Sequence, residues 1–322
     1  MKKMSLVLAA MMAISLFLPG MALADEKVPV IGVVQFVQHE ALDRANQGFV
    51  DALKDNGFVD GENIRLDQQN ANADSSTLAT IADSFIAQKV DLALAIATPA
   101  AQMMMGKTET IPILGTAITD YVEAKLAKSN EEPGYNVSGT TDMNPIVQQI
   151  DLLKKLVPDA QTVGLLYTGS EDNSVLQARI AVAAIEALGM KWVEVKVNNN
   201  SNDVQQAAQS LADQCDVLYV PTDNVAASAM PIIAEVMTEK KIPIICGESG
   251  MVRAGGTATL GINYYNLGYQ TGLMAIEVLG GADVSKMPIQ AQTEFDYAFN
   301  LEAAAAIGLE IPQDLLDQAK AK

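Results

Sequence analysis

Acidic and amide side chains follow apolar runs in the second half of the sequence, where they could bind a small charged molecule. Asp223 and Asn224 follow the run 217–220, and Glu248 follows the run 242–246. If these runs are parallel strands, their carboxyl ends meet at one edge of a sheet, where such sheets bind ligands. A carboxylate at that edge could hold an ammonium group. Asp223 and Glu248 could instead cap the helices that follow, and both interpretations stay open.

Polar residues also follow the other apolar runs, and two of these segments resemble the start of a helix. In the first, Pro99 takes the first helical position beside Thr98, and in the second, residues 171–174 open a helix. Free N–H groups and the helix dipole make such a start an anion site, although ordinary capping is an equal alternative. The predicted ligand-binding residues are Gln35, Phe36, His39, Thr98, Ala100, Thr141, Asp142, Thr168, Glu171, Asn173, Ser174, Asp223, Asn224 and Glu248.

Rings are scarce in this chain, yet several lie at the predicted strand ends. Aromatic residues make up 5% of the sequence, but Phe36, Tyr264, Tyr265 and the imidazole of His39 fall at these positions. Such rings could enclose an apolar or aromatic side chain. Together with a helix N-terminus for a carboxylate and an acid for an ammonium, they predict an amino-acid site of aromatic type. A sugar site is the alternative, although the single Trp192 is expected away from the cleft.

The elements that position these residues repeat once along the chain. Residues 30–36 and 162–168 read as matching strands, and each is followed by a helix that ends at a glycine. From the strand glycine to a later proline the distance is 80 residues in one half (Gly32 to Pro112) and 79 in the other (Gly164 to Pro243). Apolar strands that alternate with amphipathic helices predict an α/β protein. We expect two doubly wound, parallel-sheet lobes whose loop-lined edges face one cleft.

The order of the segments also predicts how the two lobes are connected. We expect lobe 1 to comprise residues 25–142 plus 266–293, and lobe 2 to comprise 143–265 plus 294–322. The chain would then cross between the lobes near 140–144, 263–266 and 293–299. Residues 289–299 alternate weakly, which favours one long strand, and residues 267–279 read as a helix. Three crossings make a hinge that permits closure but resists twisting.

The first residues of the chain resemble an export signal. Lys2 and Lys3 precede an apolar run and the small residues Ala22 and Ala24, which predicts a signal peptide over residues 1–24, cleaved after Ala24. No Cys lies near this cleavage site. We therefore expect a periplasmic protein without a lipid anchor.

Composition excludes several classes of partner and cofactor. The formal net charge of −18 argues against nucleic-acid binding, which needs basic patches. Two Cys and one His nearly exclude a thiolate or imidazole metal site, so we expect neither a metal nor a cofactor. Cys215 precedes one predicted strand and Cys246 ends a parallel one. They would lie roughly 13–16 Å apart at ~3.3 Å per residue, too far for a disulfide.

Seven short motifs follow one another in the chain: Val30-Ile31-Gly32-Val33, Ala45-Asn46-Gln47-Gly48-Phe49, Ala97-Thr98-Pro99-Ala100, Gly139-Thr140-Thr141-Asp142, Asn173-Ser174, Pro221-Thr222-Asp223-Asn224 and Gly247-Glu248-Ser249. Their order resembles that of the ABC-transporter substrate-binding proteins of the tryptophan/tyrosine-type group. The resemblance runs from about Val28 to Leu309 and implies a type I periplasmic binding protein fold with three crossovers. It also implies a membrane permease and a cytoplasmic ATPase as partners, and we expect a monomer. It implies ligand contacts at Thr98, Ala100, Thr141, Asp142, Asn173, Ser174, Asp223, Asn224 and Glu248.

Two other functions stay open on the sequence alone. An exported hydrolase would want a Gly-x-Ser-x-Gly elbow, and the residues at 247–250 approach this motif with the wrong spacing. The only imidazole, His39, falls in the other predicted lobe, although a carboxylate enzyme using Asp223 and Glu248 is conceivable. The same binding fold could also serve a sensor or chemoreceptor instead of a permease. We favour a binding protein with no catalytic residues.

Overall fold

The computed structural model describes residues 28–198 and 201–320, in which strands and helices alternate. The predicted signal peptide lies outside these residues. The first part contains β1 (Val30–Gln35), α1 (Glu40–Asp55), β2 (Arg65–Asn70), α2 (Ser75–Gln88), β3 (Leu92–Ile96), α3 (Thr98–Lys107), β4 (Ile113–Ile118) and β5 (Val137–Thr141). The second part contains α4 (Ile146–Leu156), β6 (Thr162–Thr168), α5 (Asp172–Ala187), β7 (Lys191–Val197), α6 (Ser201–Ala212), β8 (Val217–Val220), α7 (Asn224–Ser228), α8 (Met230–Glu239), β9 (Ile244–Cys246), α9 (Ser249–Arg253) and β10 (Ala258–Gly261). The chain continues through α10 (Tyr264–Leu279), a 3-10 helix (Val284–Lys286), β11 (Gln290–Ala291), β12 (Asp296–Phe299), α11 (Leu301–Ile307) and α12 (Gln313–Lys320).

The strands form two six-stranded sheets of the same design, which confirms the predicted α/β class. Their orders are β11-β5-β4-β3-β1-β2 and β12-β10-β9-β8-β6-β7. All neighbours pair in parallel except β12, which runs antiparallel to β10. Central strands such as β3 are buried along their whole length because helices cover both faces of the sheet. The edge strands β2 and β7 carry exposed residues instead.

The chain passes between the two sheets three times, after β5, after β10 and between β11 and β12. The prediction of one long strand over 289–299 was wrong, because this segment leaves one sheet and enters the other. Helix α10 begins at Tyr264, three residues earlier than predicted, and packs against α1 and β4. We propose the lobe boundaries given above, and lobe 1 and lobe 2 below are the parts that carry the first and the second sheet.

Glycines bring α1 and α10 into backbone contact within lobe 1. A Cβ atom added at Gly48 would lie 2.0 Å from the carbonyl oxygen of Tyr265, and one added at Gly268 would lie 1.8 Å from that of Ala45. No side chain fits in these two places. The contact fixes the start of α10, and with it Tyr264, beside the second crossing.

Both cysteines are free, as the strand order predicted. Cys215 lies before β8 and Cys246 ends β9, which pairs with β8 in parallel. Within residues 28–198 and 201–320, no helix combines the length and the apolar character needed to cross a bilayer.

Candidate functional site

The two lobes enclose a cavity of about 290 Å³ where strands of both sheets end. Its walls come from the segments after β1, β4, β5, β8 and β9 and from the starts of α1, α5, α7, α9 and α10. The lining residues are His39, Leu42, Ala117, Thr119, Asp142, Asn173, Thr222, Asp223, Asn224, Ala227, Glu248, Met251 and Tyr264.

Six of the sequence-predicted residues line this cavity, and the other eight are not among its lining residues. The six are His39, Asp142, Asn173, Asp223, Asn224 and Glu248. The eight are Gln35, Phe36, Thr98, Ala100, Thr141, Thr168, Glu171 and Ser174. Several of these eight support the wall directly: Thr168 bonds Asp223, and Glu171 bonds Asn224. Phe36 and Ala100 belong to the hydrophobic core of lobe 1.

Three apolar lining residues at helix starts were not predicted: Leu42, Ala227 and Met251. Each lies within the first four residues of a helix that follows a strand, namely α1, α7 and α9. An apolar residue in the first turn of such a helix is the signal that could have identified them. They give the otherwise acidic cavity an apolar side.

Asp223 and Glu248 cap helices, which is the alternative that the sequence left open. Asp223 accepts hydrogen bonds from the backbone N–H of Ala226 (2.8 Å) and from the hydroxyl and N–H of Thr168 (2.9 and 2.5 Å). Glu248 accepts from the N–H groups of Gly250 and Met251 at the start of α9. Burial raises the pKa of Glu248 to about 7, against the pull of these two N–H groups. Every oxygen of both carboxyl groups therefore already has a donor.

Glu171 differs, because one of its oxygens is buried without a donor. Its Oε2 accepts from the amide of Asn224 at 2.5 Å and from that of Asn173 at 3.1 Å. Its Oε1 has no partner, and neither has Oδ1 of Asn173. Desolvation, with the nearby charge of Asp223, raises the pKa of Glu171 to about 8. Two buried acceptors short of donors are what a donor-rich group such as an ammonium would satisfy.

Asp142 lines the cavity and forms hydrogen bonds close to the points where the chain crosses between the lobes. Its Oδ2 accepts from the hydroxyl of Tyr264 at 2.6 Å, and its Oδ1 accepts from that of Thr119 at 3.0 Å. Burial raises the pKa of Asp142. Because Asp142 follows β5 and Tyr264 begins α10, this hydrogen bond links the first two crossings beside the cavity.

The cavity is acidic and has uncapped helix starts nearby. Among the described residues that line it, none is Lys or Arg. Helices α1, α3 and α5 begin without a side-chain cap. The start of α3 is the one predicted from Pro99, and the Thr98 hydroxyl there is buried without a partner. The site can therefore satisfy a cation on its acidic wall and an anion at a helix start.

Hydrogen bonds between the lobes show that the cleft is closed. Gln102 on α3 donates to Asp172 on α5 at 2.8 Å. Arg179 pairs with Glu123 at 3.0 Å, and Arg253 pairs with Glu40. These three contacts connect the two lobes. Because the charges of the two salt bridges are exposed, each salt bridge contributes little stability.

Known proteins resemble this chain over most of its length. The sequence model of the family described as ABC transporter substrate binding protein matches residues 30–322. A tyrosine-binding protein of Clostridioides difficile (strain R20291) is 43% identical over 286 residues, which are 89% of this chain and 83% of that protein.

Two solved structures bear on the conformation. An ABC domain from Streptococcus pneumoniae in complex with L-Trp has a TM-score of 0.87 at 35% identity, and the match covers 90% of this chain and 98% of that one. The ligand-free, open structure of a substrate-binding protein with adhesive properties from Clostridium difficile has a TM-score of 0.68 at 46% identity, with 89% and 97% covered. The lobes are thus arranged as in the L-Trp complex, although the open protein shares more sequence.

Proposed function

Because this chain belongs to the family of ABC transporter substrate-binding proteins, with the type I periplasmic binding protein fold, we propose that its ligand is an aromatic amino acid. The observation that carries the proposal is the closed cavity between the lobes, which combines acidic groups, an apolar side and no lining Lys or Arg. A free amino acid has one cation, one anion and a side chain. The site offers a separate environment to each of the three.

We assign the ammonium group to the lobe 2 wall and the carboxylate to lobe 1. On the lobe 2 side, Glu171 and Asn173 hold the buried oxygens that lack donors. On the lobe 1 side, the start of α1 lines the cavity without a side-chain cap, and the hydroxyl of Thr98 at the start of α3 is buried without a partner. The side chain would lie against Leu42 and Met251. A ligand bound in this way touches both lobes.

This division explains why binding would close the cleft. A ligand shifts an equilibrium only by its differential affinity for the two states. The ammonium contacts and the carboxylate contacts can be made together only when the lobes meet. Capture by closure needs no covalent step, and we propose that the protein has no catalytic activity.

The relatives support an amino-acid ligand. One is named for tyrosine and one was solved with L-Trp. Both ligands carry an aromatic side chain on the same zwitterionic core.

Calorimetric titration of ligand-stripped protein against the twenty amino acids and common sugars tests the proposal. We expect binding of aromatic amino acids, and compaction of the protein by small-angle scattering when they are added. Binding of sugars alone would overturn the amino-acid ligand. Unchanged scattering at saturation would overturn capture by closure.

Substrate-binding proteins of ABC importers act outside the cytoplasm and deliver their ligand to a transporter. For this chain we propose, more specifically, a periplasmic monomer without a lipid anchor that serves a permease and its cytoplasmic ATPase. Mass spectrometry of the exported protein should show an N-terminus at Asp25 with no lipid, and light scattering should give the monomer mass. A lipid-modified N-terminus or a stable dimer would contradict these two points.

A further inference from the structure

The one histidine of the chain holds an unused acceptor at the cavity. His39 precedes α1 in lobe 1 and lines the cavity, yet its side chain does not cap the helix. Its Nδ1 is buried and has no hydrogen-bond partner. Its Nε2 lies 3.4 Å from Oδ1 of Asn224, across the cleft in lobe 2.

The partners of Asn224 decide which nitrogen of His39 carries the proton. The amide nitrogen of Asn224 donates to Oε2 of Glu171 at 2.5 Å, so its Oδ1 faces His39 as an acceptor. Nε2 of His39 must then be the protonated nitrogen, and Nδ1 keeps a free lone pair. Burial lowers the pKa of His39 to about 4, although Asn224 and the charge of Asp43 oppose the shift. The ring is therefore neutral at neutral pH.

The surroundings of His39 suit an uncharged hydrogen-bond donor on the ligand. Leu42, Ala227 and Met251 line the cavity together with it, while the carboxyl oxygen without a donor belongs to Glu171. An ammonium group pairs best with a carboxylate, which leaves the uncharged acceptor for another part of the ligand. A buried acceptor that finds no donor costs free energy.

We propose that His39 is a specificity-determining residue whose Nδ1 accepts a hydrogen bond from the ligand side chain, from a phenol O–H or an indole N–H. The inference rests on the proposed aromatic amino-acid ligand. It adds that a ring without a polar hydrogen, as in phenylalanine, leaves Nδ1 unpaired and binds more weakly.

Two substitutions distinguish the roles of the two ring nitrogens of His39. The amide of Gln lies near the position of Nε2, so His39→Gln keeps a donor toward Asn224 but loses the acceptor at Nδ1. The amide of Asn lies near Nδ1, so His39→Asn retains an acceptor there. Since the side chain caps no helix, both variants should fold, and circular dichroism checks this.

Calorimetry with L-Tyr, L-Trp and L-Phe gives the readout. Wild-type protein should bind L-Tyr or L-Trp more tightly than L-Phe, on the order of tenfold to a hundredfold. His39→Gln should reduce this ratio to within about threefold, and His39→Asn should restore part of it. Equal affinity of the wild type for all three would overturn the role of His39 and leave the proposed function standing. Failure to bind any of the three would overturn the proposed function itself.

Nitrogen NMR of tag-free protein labelled at histidine reports on this residue alone, because the chain contains one His. With L-Tyr bound, Nε2 should be protonated, and the Nδ1 signal should move in the direction of an accepted hydrogen bond. With L-Phe bound, the Nδ1 signal should stay at the position of a free lone pair. A protonated Nδ1, or the same Nδ1 shift with both ligands, would contradict the proposal.

Discussion

Replacing Glu171 by Gln should weaken ligand binding and make the empty protein close more readily. The change keeps the size of the side chain and an oxygen that can accept from Asn224. It removes the negative charge that we assign to the ligand ammonium. The two effects have opposite signs for closure, which makes the substitution informative.

The raised pKa of Glu171 sets the size of the first effect. An exposed glutamate titrates near 4.5, whereas burial in the closed cleft raises its pKa to about 8. A tenfold change in proton affinity corresponds to about 1.4 kcal/mol, so closing over the empty site near neutral pH costs on the order of 3–4 kcal/mol. Because the pKa of Glu171 is higher in the closed cleft, closure of the empty site becomes less favourable as the pH rises from 4.5 toward 8. Glu171→Gln removes this cost.

The second effect acts when the ligand is bound. Removing one partner of a buried charge pair costs about 3–5 kcal/mol, because the other charge stays buried without compensation. The affinity for an aromatic amino acid should therefore fall on the order of a hundredfold or more.

Small-angle scattering and calorimetry measure the two effects separately. Glu186→Gln is the matched control, since Glu186 is exposed on the same helix, α5, away from the cavity. Without ligand, Glu171→Gln should be more compact than wild type, and Glu186→Gln should not. If Glu171→Gln binds the amino acid as tightly as wild type and scatters identically, Glu171 neither pairs with the ligand nor opposes closure.

Three further predictions concern stability, pH and thiol reactivity. Gly268→Ala should lower the free energy of unfolding by at least about 1–3 kcal/mol, because its Cβ would meet a backbone oxygen of α1. Gly106→Ala, with nothing within 4 Å, should be neutral or stabilising in the same denaturation assay. When the pH falls from about 7.5 to 5.5, wild type should lose roughly tenfold more affinity for the ligand than His39→Gln. In the open cleft, an imidazole with an ordinary pKa of 6.5 becomes protonated over this range. Closure lowers the pKa of His39 to about 4, so the protonated ring opposes closure. Parallel pH profiles would contradict this. Thiol titration of the denatured protein should find two thiols. In the native protein both should be labelled slowly, because burial raises the pKa of Cys215 and Cys246. Fast labelling of the native protein would count against the buried positions.

Much of the fold was predictable because its signals are local or periodic. Gly32 and Gly164 mark equivalent strands, and the spacing to the later prolines repeats within one residue. A start such as Pro99 in α3 depends on residues adjacent in the chain. Strand ends of a parallel sheet converge on one edge, so the candidate residues collected there could be named without coordinates.

The tertiary structure decided which of those residues face the cavity and what each one does. Asp223 and Glu248 look alike at two strand ends, and only the packed structure shows that both cap helices while Glu171 keeps a free oxygen. The contact between His39 and Asn224 joins residues that are 185 positions apart in the chain and lie in different lobes. Residues 289–299 become two strands because the two sheets lie on either side of them. Sequence patterns record propensity along the chain, whereas these features depend on the free energy of contacts between distant parts of it.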